Sequence, residues 1–141
     1  ITTEGGLNLN YKKKFLKQII KKLKEKNIRV SLFIKANLSN VYKAKDLNAD
    51  CVEFHTGEIC NLINKGKNYK NLFLKFYQAI NLANSIGIEI HAGHGMNYKS
   101  AKILKKLKKI KEFNIGHFII GESIFVGLSQ VVKNFKRILN K

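Results

Sequence analysis

The sequence is poor in cysteine and lacks long apolar runs. Cys51 and Cys60 are the two cysteines among 141 residues. Two are too few for a disulfide framework, and their spacing is not that of metal ligands. We therefore expect no metal site and two reduced thiols, the usual state in the cytoplasm. No apolar run approaches the roughly 20 residues that a membrane-spanning helix needs. These absences argue against a disulfide-rich secreted domain and against a membrane protein.

The amino terminus has neither the basic region nor the apolar region of a signal peptide. This pattern favours a cytoplasmic protein. The first residue is Ile1 rather than an initiator methionine, so the sequence looks like a processed product or a fragment.

Acidic residues are scarce as well. Nine acidic residues stand against 27 basic ones, which gives a net charge of +18. Such a charge is typical of proteins that bind nucleic acids. However, only Arg29 and Arg137 are arginines, and arginine is the residue best suited to bidentate contacts with phosphates and bases. The lysines fall on the predicted outer faces of nearly all the helices, as solvated helix surfaces do. Nucleic-acid binding is therefore the less favoured hypothesis.

The pattern of apolar residues is that of an α/β domain. The hydrophobic content is 45%, and the length suffices for one domain with a core. Apolar periodicity predicts strands at residues 28–34, 51–55, 88–92 and 113–120 and helices at residues 11–26, 39–47, 71–85, 98–110 and 129–140. Strands that alternate with helices in this way form right-handed βαβ units on a parallel sheet. Both an open doubly wound sheet and part of a (β/α)8 barrel fit this order.

The stretch at residues 88–98 is the strongest candidate for a functional site. A short strand leads into a turn that contains Gly93, His94 and Gly95, and an amphipathic helix follows. The glycines allow a sharp turn and a close approach of a ligand to the backbone. A histidine between them can exchange a proton near neutral pH. A tight turn in which His94 only caps a helix or binds the backbone is the alternative.

Polar residues also lie in two other predicted strands. Glu53 and His55 alternate with apolar residues in the second strand, so they share one face of the sheet. In a barrel, a charged inward residue near the carboxyl end of a strand is a site candidate. Gly116 and His117 fall inside the fourth strand, where a glycine often marks a close approach of the backbone. The sequence contains no glycine-rich nucleotide-binding motif, so it gives no support for nucleotide binding.

Five motifs resemble the pyridoxine 5′-phosphate synthase family in order and spacing, over essentially the whole chain. They are Thr2-Thr3-Glu4-Gly5-Gly6-Leu7, Val30-Ser31-Leu32-Phe33-Ile34, Glu53-Phe54-His55-Thr56-Gly57, Ala92-Gly93-His94-Gly95 and Asn114-Ile115-Gly116-His117. The resemblance implies an α/β fold, namely the C-terminal part of a (β/α)8 TIM barrel with four parallel βα units and a leading helix. Residues 1–141 would then form a single incomplete TIM-barrel domain without its N-terminal strands.

The family condenses 1-deoxy-D-xylulose 5-phosphate with 3-amino-2-oxopropyl phosphate in vitamin B6 biosynthesis, releasing phosphate and water. The resemblance implies a transferase that needs positioned acids and bases but no cofactor. It assigns His94 as the proton donor. It assigns Glu53 as the carboxylate that stabilises the transition state. The substrate and its phosphate would be bound by Thr2, Gly95, Gly116 and His117.

Two other histidines have less defined expectations. His55 lies in a matching motif and suits a structural role as well as a functional one. His91 is expected only to shape the loop that precedes His94.

The resemblance also implies what the chain lacks. The first strands of the family carry further catalytic and substrate-binding residues that this sequence does not contain. A partial barrel has two unpaired sheet edges, which promote association. We therefore expect the chain alone to be inactive and to form homo-oligomers, with small phosphorylated molecules as substrates. The alternatives are a basic nucleic-acid-associated domain and another phosphate-binding barrel enzyme, since a fold alone does not determine function.

Overall fold

Short apolar strands alternate with helices along the chain. The structure, a computed structural model, describes residues 5–140. The strands are β1 (Ser31–Ile34), β2 (Cys51–His55), β3 (Glu89–Gly93) and β4 (Glu112–Asn114). The helices are α1 (Lys13–Glu25), α2 (Leu38–Asp46), α3 (Gly57–Asn64), α4 (Lys70–Ser85), α5 (Tyr98–Leu104), α6 (His117–Val126) and α7 (Leu128–Leu139).

The strands form one parallel sheet in the order β1-β2-β3-β4. Side chains alternate between its two faces. Val52 and Phe54 are fully buried, and the ring of Phe54 packs edge-on against Phe76 of α4. Glu53 and His55 lie on the opposite face and are partly exposed. The helices therefore cover one face of the sheet, and the other face carries the polar residues.

A second, smaller cluster fixes the end of the chain. Val131 and Phe135 of α7 pack with Ala101 of α5. The ring of Tyr98 lies 4.9 Å from that of Phe118 in α6 and 4.7 Å from that of Phe135. These contacts hold the starts of α5 and α6 side by side at the carboxyl ends of the strands.

The prediction of a strand at residues 113–120 was wrong in its second half. β4 ends at Asn114, and His117 begins α6 with Gly116 as the preceding cap residue. Both residues therefore lie at a helix start rather than inside a strand. A short apolar run is compatible with either structure. The packing of Phe118 on Tyr98 favours the helix.

Other elements differ from the predictions at their ends. The first strand begins at Ser31 rather than at residue 28, because the amide of Val30 donates to the Asp50 carboxylate instead of to a neighbouring strand. The helix predicted at residues 98–110 ends at Leu104 and continues as turns. Residues 58–66, where no full helix was predicted, contain most of α3.

The order of elements confirms the predicted class. The described residues form an α/β structure with four parallel strands and seven helices, as expected of a partial TIM barrel. Within residues 5–140, each helix is too short or too polar to span a bilayer.

Candidate active site

One cavity of about 900 Å³ lies at the carboxyl ends of the strands. Five of the six predicted site residues line it, namely Glu53, His94, Gly95, Gly116 and His117. They come from β2, from the turn after β3 and from the start of α6. The sixth, Thr2, lies outside the described residues. The parallel sheet thus brings together side chains that are up to 64 positions apart in the sequence.

Glu53 is held in place by two neighbouring strands. The side-chain amide of Asn114, at the end of β4, donates a 2.8 Å hydrogen bond to its Oε2. On β3, the Glu53 carboxylate occupies the space that a Cβ at Gly93 would take. The carboxylate is therefore fixed at the wall of the cavity. The sequence had not indicated Asn114 as a site residue, although it belongs to one of the five motifs.

His94 is presented on a strained turn. Its φ angle is 80°, a left-handed backbone conformation that residues other than glycine rarely adopt. The buried Thr56 hydroxyl lies 2.7 Å from the carbonyl oxygen of Gly93 and 2.6 Å from that of His94, and it donates its proton between these acceptors. The side chain of His94 is exposed. Thr56 thus secures the backbone, while the imidazole reaches the cavity.

The two helices that start beside the cavity, α5 and α6, differ in whether a side chain caps their first turn. At α5, the Asn97 side chain accepts from the amide of Ser100, and the Ser100 hydroxyl accepts from the amide of Asn97, which forms a capping box. In the part of the chain that the structure describes, no side chain caps α6, which starts at Gly116 and His117. Because free amides at a helix start attract anions, the start of α6 is better suited to bind an anion than the start of α5.

His91 lies in β3, within the strand predicted at residues 88–92. It is a buried residue of β3, and its Nε2 lies 2.8 Å from Oε1 of Glu89. Arg29 pairs with the same carboxylate oxygen at 2.6 Å. The hydrogen bond from His91, followed by that from Arg29, lowers the pKa of Glu89. These groups lie toward the amino ends of the strands, away from the cavity.

The cysteines take no part in the site. Both are free and buried, and burial raises the pKa of the Cys60 thiol. Raising a thiol pKa disfavours the nucleophilic thiolate. Across residues 5–140, histidine, cysteine and acidic side chains form no cluster of three that could hold a metal ion.

A parallel βα sheet with a carboxylate, an imidazole and an uncapped helix start at the carboxyl ends of its strands is the arrangement of an α/β-barrel protein. The family model described as "Pyridoxal phosphate biosynthesis protein PdxJ" matches residues 1–141, and the chain belongs to that family.

Similar proteins carry one name. A pyridoxine 5′-phosphate synthase of Pelagibacter ubique is 55% identical over 141 residues, which are 100% of this chain and 59% of that protein. A protein of the same name from Zymomonas mobilis is 42% identical over 139 residues, 99% of this chain and 54% of its own length. The chain thus spans between about half and three fifths of the length of these relatives.

Proposed function

We propose that the chain is the C-terminal part of a pyridoxine 5′-phosphate synthase. This transferase condenses 1-deoxy-D-xylulose 5-phosphate with 3-amino-2-oxopropyl phosphate to form pyridoxine 5′-phosphate, phosphate and water. One observation carries the proposal: an imidazole, a carboxylate and an uncapped helix start line a single cavity. The cavity volume of about 900 Å³ suits two small phosphorylated molecules.

His94 acts as the proton donor. Ring closure to a pyridine requires imine formation, proton transfers and loss of water, which are steps for positioned acids and bases. An exposed imidazole on a turn fixed by Thr56 can reach a bound substrate. Glu53 stabilises the transition state: its carboxylate is held by Asn114 and faces the same cavity. A fixed negative charge favours cationic imine intermediates without reorganisation.

Gly116 and His117 bind a substrate phosphate. They form the start of α6, where backbone amides point outward along the helix axis. Gly95 has a φ angle of 74°, which favours glycine, and its backbone lines the same cavity, where a ligand can contact it. Thr2 completes the proposed substrate-binding set, although it lies outside the described residues.

Residues 1–141 form a single incomplete TIM-barrel domain in this proposal. In the described sheet, β1 is paired with β2 alone and β4 with β3 alone. Exposed apolar side chains also cover α6, including Ile124 and Phe125. Unpaired strand edges and apolar surface promote association. The chain by itself therefore forms homo-oligomers, which sedimentation velocity would detect. It is inactive alone because it does not contain the further catalytic and substrate-binding residues that the family's first strands carry.

Activity of a completed barrel tests the proposal. The chain is fused to the part of the Pelagibacter ubique relative that it does not match, and this fusion is called the joined barrel. The expected result is pyridoxine 5′-phosphate from the two substrates, with the unaltered relative as positive control. A folded joined barrel that forms no product would overturn the proposal. Turnover of other phosphorylated substrates instead would identify a different phosphate-binding barrel enzyme.

A further inference from the structure

His55 is a partly exposed histidine that the proposed reaction does not use. It ends β2, two residues beyond Glu53 on the same face of the sheet. Its ring stacks on the ring of His94, with the centroids 4.7 Å apart and the planes inclined by 25°. It also contacts the ring of Phe33 on β1, at 5.3 Å. The strand thus supplies a fixed aromatic surface on which the His94 imidazole rests.

Gly57 leaves room for this pair of rings. A Cβ at residue 57 would stand 2.7 Å from Cε1 of His55 and 2.9 Å from Cδ2 of His94. Real Cβ contacts are essentially never that short, so any side chain there would displace one ring or the other. The glycine at this position is therefore part of the arrangement that allows the two imidazoles to stack.

The backbone and the ring of His94 are held by different contacts. The hydroxyl of Thr56 secures only the backbone of the turn. Among the described residues, no hydrogen bond holds the imidazole of His94, and its side chain is exposed. An exposed side chain without such a bond rotates among its rotamers. Contact with the His55 ring limits that rotation on the side facing β2.

We propose that His55 is a positioning residue, which holds the His94 imidazole in the orientation from which it donates its proton. The proposal rests on the proposed function of His94. His55 acts through the flat face of its ring and not through proton transfer. An aromatic ring without ionisable nitrogens should therefore replace it, whereas an aliphatic side chain of similar size should not.

Two variants of the joined barrel separate these possibilities. His55→Leu removes the stacking surface, and His55→Phe keeps it. Misplacement of a reacting group costs up to about 10²-fold in rate. The expected result is a loss of kcat of about 10²-fold in His55→Leu, with KM unchanged, and recovery of most of kcat in His55→Phe. An unchanged kcat in His55→Leu, or equal losses in the two variants, would overturn the proposal.

A second measurement does not depend on activity. In the ¹³C-labelled chain, the ring resonances of His94 report the ring current of its stacked neighbour. They should stay near their positions in His55→Phe and shift in His55→Leu. If the joined barrel is inactive, the proposed function fails while this spectrum still decides whether His55 orients His94. Unshifted resonances in a folded His55→Leu variant would show that it does not.

Discussion

The carboxylate of Glu53 occupies the position where a side chain at Gly93 would stand. The two residues lie on adjacent strands, with Glu53 on β2 and Gly93 at the end of β3. A Cβ at Gly93 would meet the Glu53 carboxylate and would also lie 3.0 Å from Cβ of Asn114. The absence of a side chain on β3 therefore allows the acid to bridge toward β4, where Asn114 binds it.

Gly93→Ala tests this relationship through stability. The added methyl group has no free space, and overpacking of a core typically costs about 1–3 kcal/mol in the free energy of unfolding. Urea denaturation should show a loss in this range. Gly121→Ala is the matched control, because a Cβ at Gly121 would have no atom within 4 Å and alanine favours the helix in which it lies. Equal stability of the two variants would contradict the account.

Thr56→Val tests the support of the His94 turn. Valine has the shape of threonine but no hydroxyl, so the carbonyl groups of Gly93 and His94 lose their hydrogen bonds to the side chain. The Gly93 carbonyl still accepts from the backbone amide of Thr56, whereas the partly buried His94 carbonyl loses its partner among the described residues. Leaving such a group without a partner costs about 1–3 kcal/mol, which urea denaturation would measure. Thr56→Ser keeps the hydroxyl and should lose less stability. The reverse order of the two variants would mean that the methyl group matters more than the hydrogen bonds.

The sequence predicted the strands best where apolar and polar residues alternate. Strand β2 has the predicted bounds, and Glu53 and His55 share a face as expected. The fourth strand was predicted too long, because its apolar run is compatible with both strand and helix. Only tertiary packing, such as Tyr98 on Phe118, distinguishes the two.

The supporting contacts of the site could not be predicted in the same way. The hydroxyl of Thr56 binds a carbonyl 38 positions away, and Asn114 binds Glu53 across 61 positions. Local periodicity carries no information about such partners. Motif resemblance identified five residues that line the cavity, Glu53, His94, Gly95, Gly116 and His117. Thr56 and Asn114, which hold two of them in place, became apparent only in the folded structure.

The carboxylate of Asp50 should make the free energy of unfolding depend on pH. Its carboxylate accepts from Lys24 Nζ at 2.8 Å and from the amide of Val30 at 2.9 Å. The bond to Lys24, followed by that to Val30, lowers the pKa of Asp50 below its ordinary value of 3.8. As the pH falls, the Asp50 carboxylate takes up a proton in the unfolded chain before it does so in the folded chain. Its stabilisation of the fold is therefore present above about pH 4 and is lost as the pH falls through the lowered pKa.

Asp50→Asn removes this contribution. Urea denaturation at a series of pH values should show a less stable variant at neutral pH and a shallower loss on acidification. Glu122→Gln is the control, because Glu122 has no ion pair within residues 5–140. Its profile should follow that of the unaltered chain. Identical pH profiles for Asp50→Asn and the unaltered chain would refute the role of Asp50.

Inorganic phosphate should bind at the start of α6. In the ¹⁵N-labelled chain, added phosphate should shift the amide resonances of His117 and Phe118, because no side chain caps this helix start in the described structure. The amides of Lys99 and Ser100 at α5 serve as the internal control, since Asn97 already caps that helix. Chloride at the same ionic strength controls for general screening. Equal shifts at both helix starts would indicate nonspecific binding.

The turnover of His94→Asn in the joined barrel tests the central claim most directly. Asparagine keeps a polar side chain but cannot donate a proton as a general acid does, so kcat for pyridoxine 5′-phosphate formation should fall by about 10²- to 10⁴-fold. Lys75→Gln, which changes an exposed lysine of α4, should retain the turnover of the unaltered joined barrel. A His94→Asn variant with nearly normal kcat would contradict the assignment of His94 as the proton donor.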